Sequence, residues 1–222
     1  VICDDASTDD TWPQLQRWAD REPRIRLFAN PARLGYAANF AQAISHCRGE
    51  FIAPCDQDDV WSPDKLSRLV AAMGEHLLCY CDSALIDDHG RALQQRISDR
   101  IGMYSGSGIV PLCLWNSVSG HALVFRRELL ERAWPFPVDC FHDWWLAVVA
   151  ANHGSIGYVD EPLVSYRQHG QSQTDIVQRR KQARDSWALY ARRARWLQVL
   201  AALPGPDQAF CQRLSQLWAA RV

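Results

Sequence analysis

Three carboxylates fall within four positions of the stretch FIAPCDQDDVW at 51–61: Asp56, Asp58 and Asp59. Like charges this close raise one another's pKa values. They are tolerated best when a cation neutralises them. A second acidic pair, Asp4 and Asp5, ends the opening VICDD. Both groups follow apolar runs that read as strands. Ligands of open α/β sheets bind outside the carboxyl ends of the strands. If the two strands are parallel and adjacent, five carboxylates share one rim. Ligand sets made only of oxygen select hard cations, so Mg²⁺ or Mn²⁺ is implied. A cation held there can in turn hold a diphosphate, which is metal-assisted handling of a phosphorylated ligand. Taken alone, DDASTDDT also reads as a helix N-terminus with acids favoured by the dipole.

Alternating elements must position these groups. VIC reads as a strand and TWPQLQRWADRE as a helix, with Leu15, Trp18 and Ala19 at helical spacing and Asp10 or Thr11 as its cap. IRLFA is a strand, YAANFAQAISHC a helix, FIAPC a strand, and PDKLSRLVAAMGEH a helix with Pro63 in its first turn. LLCYCDSALI and HALVF are further strands, and RRELLERA a further helix. HDWWLAVVAANHG is a helix closed by Gly154. IGYVD and LVSYR read as two short strands joined at Glu161 and Pro162, and DDHGRAL as a turn. This alternation predicts βαβ units and a mostly parallel sheet. From Asp175 onward two Arg-rich helical patterns are separated by Pro204. They read as an appendage or docking element. A basic amphipathic face of this kind lies on anionic lipid or is solvated with internal ion pairs.

The bulk composition narrows the class. The chain has 222 residues, 48% of them apolar and 22% charged, with a net charge of -1. That suits one sizeable α/β domain and makes no electrostatic case for nucleic-acid binding. Ten tryptophans either pack the core or line a site for flat or sugar-like ligands. None of the eight cysteines sits in a C-x-x-C pair, so they read as reduced thiols of a cytosolic protein. No apolar stretch has bilayer-spanning length, and no signal peptide is seen. The chain opens inside a strand-like run with no initiating Met, as a fragment that has lost an upstream element would.

In order and spacing, VICDDASTDDT, NPARLGYAANFAQAI and GEFIAPCDQDDVW resemble the family 2 inverting glycosyltransferases. SGHALVFRREL, HDWWLAVVAANHG and DEPLVSYRQHG resemble the acceptor-side and closing segments of the same family. The likeness covers about 1–174. It implies a GT-A domain there, a three-layer α/β/α sandwich with a mixed, mostly parallel sheet, followed by a helical extension at 175–222. The family's first strand and PTYN-like turn are missing, so an exposed edge or unfilled face is expected. The D-x-D element falls on Asp56, Gln57 and Asp58, with Asp58 on the metal, Asp56 toward the donor and Asp59 left to cap the next helix. Asp5 matches the carboxylate that reads a pyrimidine ring, with Asp4 beside it. Arg33, Asn39 and Gln57 belong with the donor contacts.

Asp143 matches the catalytic base, in His142-Asp143 where many members have Glu-Asp. A single base suffices in an inverting transfer, because the metal stabilises the leaving nucleoside diphosphate. His142 tunes that base or touches the acceptor. One of Trp144 and Trp145 stacks on the acceptor while the other packs inside. His121, Arg167 and His169 are further candidates for acceptor or diphosphate contacts. The implied enzyme takes a UDP or dTDP sugar to a saccharide or lipid-linked saccharide. The resemblance points to the bacterial, rhamnosyltransferase-like branch that builds surface polysaccharide such as O-antigen or capsule. Its place would be the cytoplasm, or the cytoplasmic membrane face reached through the basic helices. Two other readings are an aspartyl-phosphate phosphohydrolase using Asp56 as nucleophile and an inactive sugar- or nucleotide-binding fragment.

Overall fold

A computed structural model describes residues 1–138, 140–168 and 186–220, with the backbone alone at 186–189. Strand β1 (Ile2–Asp4) pairs in parallel with β2 (Leu27–Ala29), and helix α1 (Thr11–Arg21) crosses between them. Helix α2 (Tyr36–Ser45) follows, then β3 (Phe51–Ile52), β4 (Val60–Trp61), α3 (Lys65–Ala72) and β5 (Leu78–Ile86). After β6 (Ala92–Arg96) come β7 (Leu123–Arg126), the short α4 (Leu130–Ala133), α5 (His142–His153) and β8 (Ile156–Arg167). Helices α6 (Ser186–Ala202) and α7 (Gln208–Ala219) close the described chain. The larger sheet runs β3-β7-β5-β8-β4, with β6 also on β5. Among the described residues only β1/β2 and β5/β8 are parallel, and the other four strand pairings are antiparallel. The sheet is therefore mixed, with a smaller parallel share than strand–helix alternation suggests. FIAPC pairs over two residues only, because Pro54 cannot donate to a ladder.

Strand periodicity builds three layers. In β5, Leu78 and Tyr80 enter one core cluster, while Cys79 and Cys81 enter the other. Leu69 of α3 and Met73, which caps that helix, cover the Cys79 face. The opposite face packs on α5, whose stretch from Trp145 to Ala151 is buried all round. Trp196, Leu197 and Leu200 of α6 and Cys211 of α7 belong to that same cluster, so the described C-terminal helices are built into the main core. All eight cysteines are free thiols. The expected break at Glu161 and Pro162 is not a break. One twelve-residue β8 runs through it, and Pro162 sits opposite Asp82 where the β5/β8 register shifts. A bulge absorbs the missing donor of Pro162. The reading of DDHGRAL, 87–93, as a turn misses the start of β6 at Ala92, a strand whose five residues are all exposed and carry no burial pattern.

Candidate active site

The acidic loop 56–59 is held from β8 and from the following helix. Arg167, last residue of β8, donates its backbone N–H to Asp59 Oδ1 at 2.9 Å and its Nε–H to the Asp58 carbonyl at 2.8 Å. Its Nη1 donates to the carbonyls of Asp87 and Asp88, both at 3.1 Å. The guanidinium placed by sequence on a diphosphate thus spends these donors clamping two loops. Asp59 does not cap α3, whose N-cap is Asp64. The Asp59 side chain is fully buried, and its Oδ2 has no hydrogen-bond partner among the described residues.

His121 faces that oxygen. It lies in a short 3-10 turn, Gly120–Ala122, between Ser119 and β7. Its Nδ1 is 3.6 Å from Asp59 Oδ2 and 3.9 Å from Asp56 Oδ2. Its Nε2 is 3.0 Å from Ser83 Oγ, and its ring stacks on Tyr166. With Ser83 Oγ accepting from Nε2–H, the Nδ1 lone pair points at two carboxylates, an arrangement that a cation between them would relieve. Asp56, Asp59 and His121 each offer a ligand atom within 4.8 Å of the others. Burial is the largest cause that pushes the Asp56 carboxyl up to about 6 and the Asp59 carboxyl up to about 7, and Asp58 raises both. Burial also lowers His121 to about 3, so its imidazole stays neutral.

Lys65 is the local counter-ion. It is completely buried, its Nζ lies 3.4 Å from the centre of the Trp61 ring, and it donates to the His121 carbonyl at 2.5 Å. Burial lowers its pKa to about 8. Three ionised carboxylates beside one ammonium leave two negative charges, which a divalent ion matches. The donor set of carboxylate oxygen and imidazole nitrogen suits Mn²⁺ better than Mg²⁺. The fit is therefore good, through Asp56, Asp59 and His121. Asp58, the metal ligand expected from the sequence, is not in the converging group. Its position places charge on both neighbours instead.

The donor-side residues are tied mainly to the fold. Asp4 accepts from the N–H and Oγ of Ser7. Asp5 accepts from Asn30 Nδ2 at 2.9 Å, Leu34 N at 2.7 Å and Gly35 N at 2.8 Å. About four lone-pair sites on a carboxylate leave it one further contact. Asn39 is not a surface amide. Its Nδ2 donates to the Cys3 carbonyl and its Oδ1 accepts from Asn30. Arg33 and Gln57 are exposed. Gly35 has φ +84, which only glycine adopts without strain, and it opens α2 beside Asp5.

Asp143 lies in the first turn of α5, where the helix dipole favours a carboxylate. Its Oδ1 accepts from Trp144 N at 2.7 Å and its Oδ2 from Gly120 N at 3.2 Å. Burial still pushes it up to about 6, and its charge in turn raises Asp56. Gly120 is closely packed: a Cβ there would meet His142 Nε2 at 2.9 Å, so that ring would have to shift, and Asp143 Cβ at 3.5 Å. One turn therefore joins both halves of the site. Gly120 N–H meets Asp143, the next ring meets Asp59, and the His121 carbonyl takes Lys65.

His142 is buried, stacks on Phe40, and has no partner for either ring nitrogen among the described residues. Burial lowers it to about 4. Trp145 packs in the core and donates to the Ala133 carbonyl, while Trp144 lines a cavity against α6. His169 lies outside the described residues. Sequence reading missed Lys65, Ser83 and Gly120 altogether. It also misassigned Asp59.

The glycosyl transferase family 2 model matches residues 1–134, including 56–59, where a phosphohydrolase would keep its nucleophile. The chain is 41% identical over 73 residues to the putative colanic acid biosynthesis glycosyl transferase WcaA of Escherichia coli, which covers 32% of this chain and 25% of that protein. It spans about half the length of the curated relatives that match most of it, with shares of 49% and 55%. Residues align over 99% of this chain and 62% of TarS from S. aureus in complex with UDP-GlcNAc, at TM-score 0.66 and 15% identity. A mannosyltransferase, PcManGT from Pyrobaculum calidifontis, in complex with GDP-Man and Mn²⁺, aligns over 97% of this chain and 59% of its own at TM-score 0.58 and 21% identity. At those identities the two structures speak for the fold alone, and that fold is GT-A. The family model covers well over half of the sequence, and the chain belongs to glycosyl transferase family 2.

Proposed function

We propose that this chain carries the transfer site of an inverting, divalent-metal-dependent glycosyltransferase. Its donor is a UDP or dTDP sugar and its acceptor a saccharide or lipid-linked saccharide in the assembly of bacterial surface polysaccharide. The observation that carries the reading is the Gly120–Ala122 turn, which sets the base candidate Asp143 beside the cluster Asp56, Asp59 and His121. Likeness to WcaA supports the polysaccharide role, and TarS and PcManGT were solved with nucleotide sugars. The chain's place is the cytoplasm or the cytoplasmic face of the membrane. Among the described residues no helix is long and apolar enough to cross a bilayer.

Asp143 takes the proton of the acceptor hydroxyl as the acceptor oxygen bonds to the anomeric carbon, and the nucleoside diphosphate leaves from the opposite face. A carboxyl raised to about 6 is ionised near neutral pH and still basic enough to accept that proton. Gly120 N–H fixes the orientation of the Asp143 carboxylate. Asp56 and Asp59, with His121, would hold Mn²⁺, which when bound supplies charge neutralisation for the leaving diphosphate. Ser83 orients the His121 ring. Asp5, held by Asn30, Leu34 and Gly35, keeps its remaining lone pair for the pyrimidine. Asp143→Asn tests the assignment. Mn²⁺–UDP binding should stay within about twofold of the parent while transfer falls by about a thousandfold or more. Transfer that survives this substitution places the base elsewhere.

A further inference from the structure

We propose that the cavity between α6 and the segment leading into α5 seats the acceptor's anchor, an amphiphile in which a hydrocarbon chain is joined to a phosphate. The proposal rests on the transferase reading, since it names the acceptor of that same site. The cavity holds about 110 Å³. Phe141, Trp144, Trp196 and Val199 supply its apolar wall. An engineered apolar cavity of ~150 Å³ takes up benzene, so this one accommodates the first few carbons of a chain whose remainder runs outward.

The polar atoms of the wall exclude a sugar from its floor. Trp144 Nε1 donates to the Leu112 carbonyl at 2.7 Å, and Trp196 Nε1 donates to the Cys113 carbonyl at 3.1 Å. Both indole donors are thus spent. A hydroxylated ring there would lose its water without regaining hydrogen bonds, whereas a hydrocarbon loses nothing.

The rim has the opposite character. Arg192, Arg193 and Arg195 lie within one turn of α6 and border the cavity. Among the described residues neither Arg192 nor Arg193 forms an ion pair. Arg193 donates to the Leu114 carbonyl at 2.8 Å, and burial lowers its pKa. Arg192 lies 4.3 Å from the centre of the Phe141 ring. Forked guanidinium groups at an apolar mouth match a phosphate joined to a hydrocarbon.

The position fits an acceptor. Phe141 and Trp144 flank Asp143 in sequence, at the N-cap and in the first turn of α5. Tyr36, which opens α2 on the donor side, has its ring centre 5.7 Å from that of Phe141. Burial pushes the Tyr36 hydroxyl up to about 12, and it feels both Arg192 and Asp143. A phosphate at the rim therefore places whatever it bears within reach of the base and the donor side.

Calorimetry on the full chain tests this with octyl phosphate below its micellar concentration. Inorganic phosphate and octyl glucoside test each half of the molecule alone. Octyl phosphate should bind at least tenfold tighter than either. Arg192→Gln, on the exposed rim, and Val199→Trp, which fills the cavity, should each weaken it tenfold or more while Mn²⁺–UDP binding persists. Binding no tighter than that of octyl glucoside overturns the proposal, as does indifference to both substitutions. Phosphatidylglycerol vesicles that bind the Val199→Trp chain as well as the parent, with octyl phosphate unbound, overturn it in favour of a bilayer surface. Octyl phosphate binding by a chain that never takes up Mn²⁺–UDP overturns the acceptor role through the transferase reading, leaving the cavity intact.

Discussion

His121 Nδ1 lies 3.6 Å from Asp59 Oδ2, a buried carboxylate oxygen that no donor among the described residues satisfies. With Nε2–H donating to Ser83 Oγ and Asp59 ionised, an imidazole lone pair and a carboxylate oxygen do not attract one another. Their approach makes sense as two ligands waiting for one cation. His121→Ala and Asp59→Asn should each weaken Mn²⁺ binding by about tenfold to a hundredfold, measured by calorimetry. His121→Ala that binds Mn²⁺ like the parent would remove the imidazole from the metal site.

Asp59 also sets a pH dependence whose sign is opposite to that of an ordinary paired carboxylate. Its pKa in the fold, about 7, lies above the ~3.9 of a free Asp. The folded chain therefore holds a proton that the unfolded chain has lost, and in EDTA this group subtracts stability as pH rises from about 4 through about 7. Asp59→Asn keeps an oxygen for Arg167 N–H and removes the charge. Thermal melts in EDTA should show the variant gaining on the parent between about pH 5 and about pH 8. With Mn²⁺ at the higher pH the order should reverse, because the metal needs the ionised carboxylate. A constant difference across pH would mean that Asp59 is ionised throughout.

A Cβ on Gly120 would press on His142 Nε2 at 2.9 Å, so the buried ring must shift to admit it. Gly120→Ala should cost about 1–3 kcal/mol in denaturant unfolding, as overpacking does. It should also lower transfer more than Mn²⁺–UDP binding, because the displaced turn releases Asp143 before Asp5. Equal losses in both would mean that the turn only supports the fold.

Asp5 is a loop anchor with three donors upon it. Asp5→Asn turns an acceptor into a donor that faces Leu34 N or Gly35 N, so stability should fall by about 1–3 kcal/mol. UDP affinity should fall with it. Unchanged unfolding would show that the 31–35 loop does not depend on this carboxylate.

Much of the layout was legible because patterns were local. Leu78, Cys79, Tyr80 and Cys81 read as a strand from their composition, and their alternate sides do enter two cores. Asp143 and the 56–59 acids were found because family spacing is carried in short runs. The contacts that divide labour among those acids were not legible. Whether Asp58 or Asp59 faces the cluster is decided by Arg167, 108 residues from Asp59, and by His121 on a separate turn. A fully buried Lys65 has no local signal either, since α3 carries both Lys65 and Arg68 and nothing in the sequence separates the buried cation from the exposed one. The Glu161–Pro162 pair looked like a strand end because a proline normally stops a ladder. The bulge opposite Asp82 lets β8 continue.

The central claim is that the acidic cluster takes a divalent cation and, through it, a nucleoside diphosphate. Calorimetric titration of the chain with UDP, in Mn²⁺ and then in EDTA, tests it most directly. Binding in Mn²⁺ should weaken by about a hundredfold or more in EDTA. UDP binding of equal strength in both would contradict it.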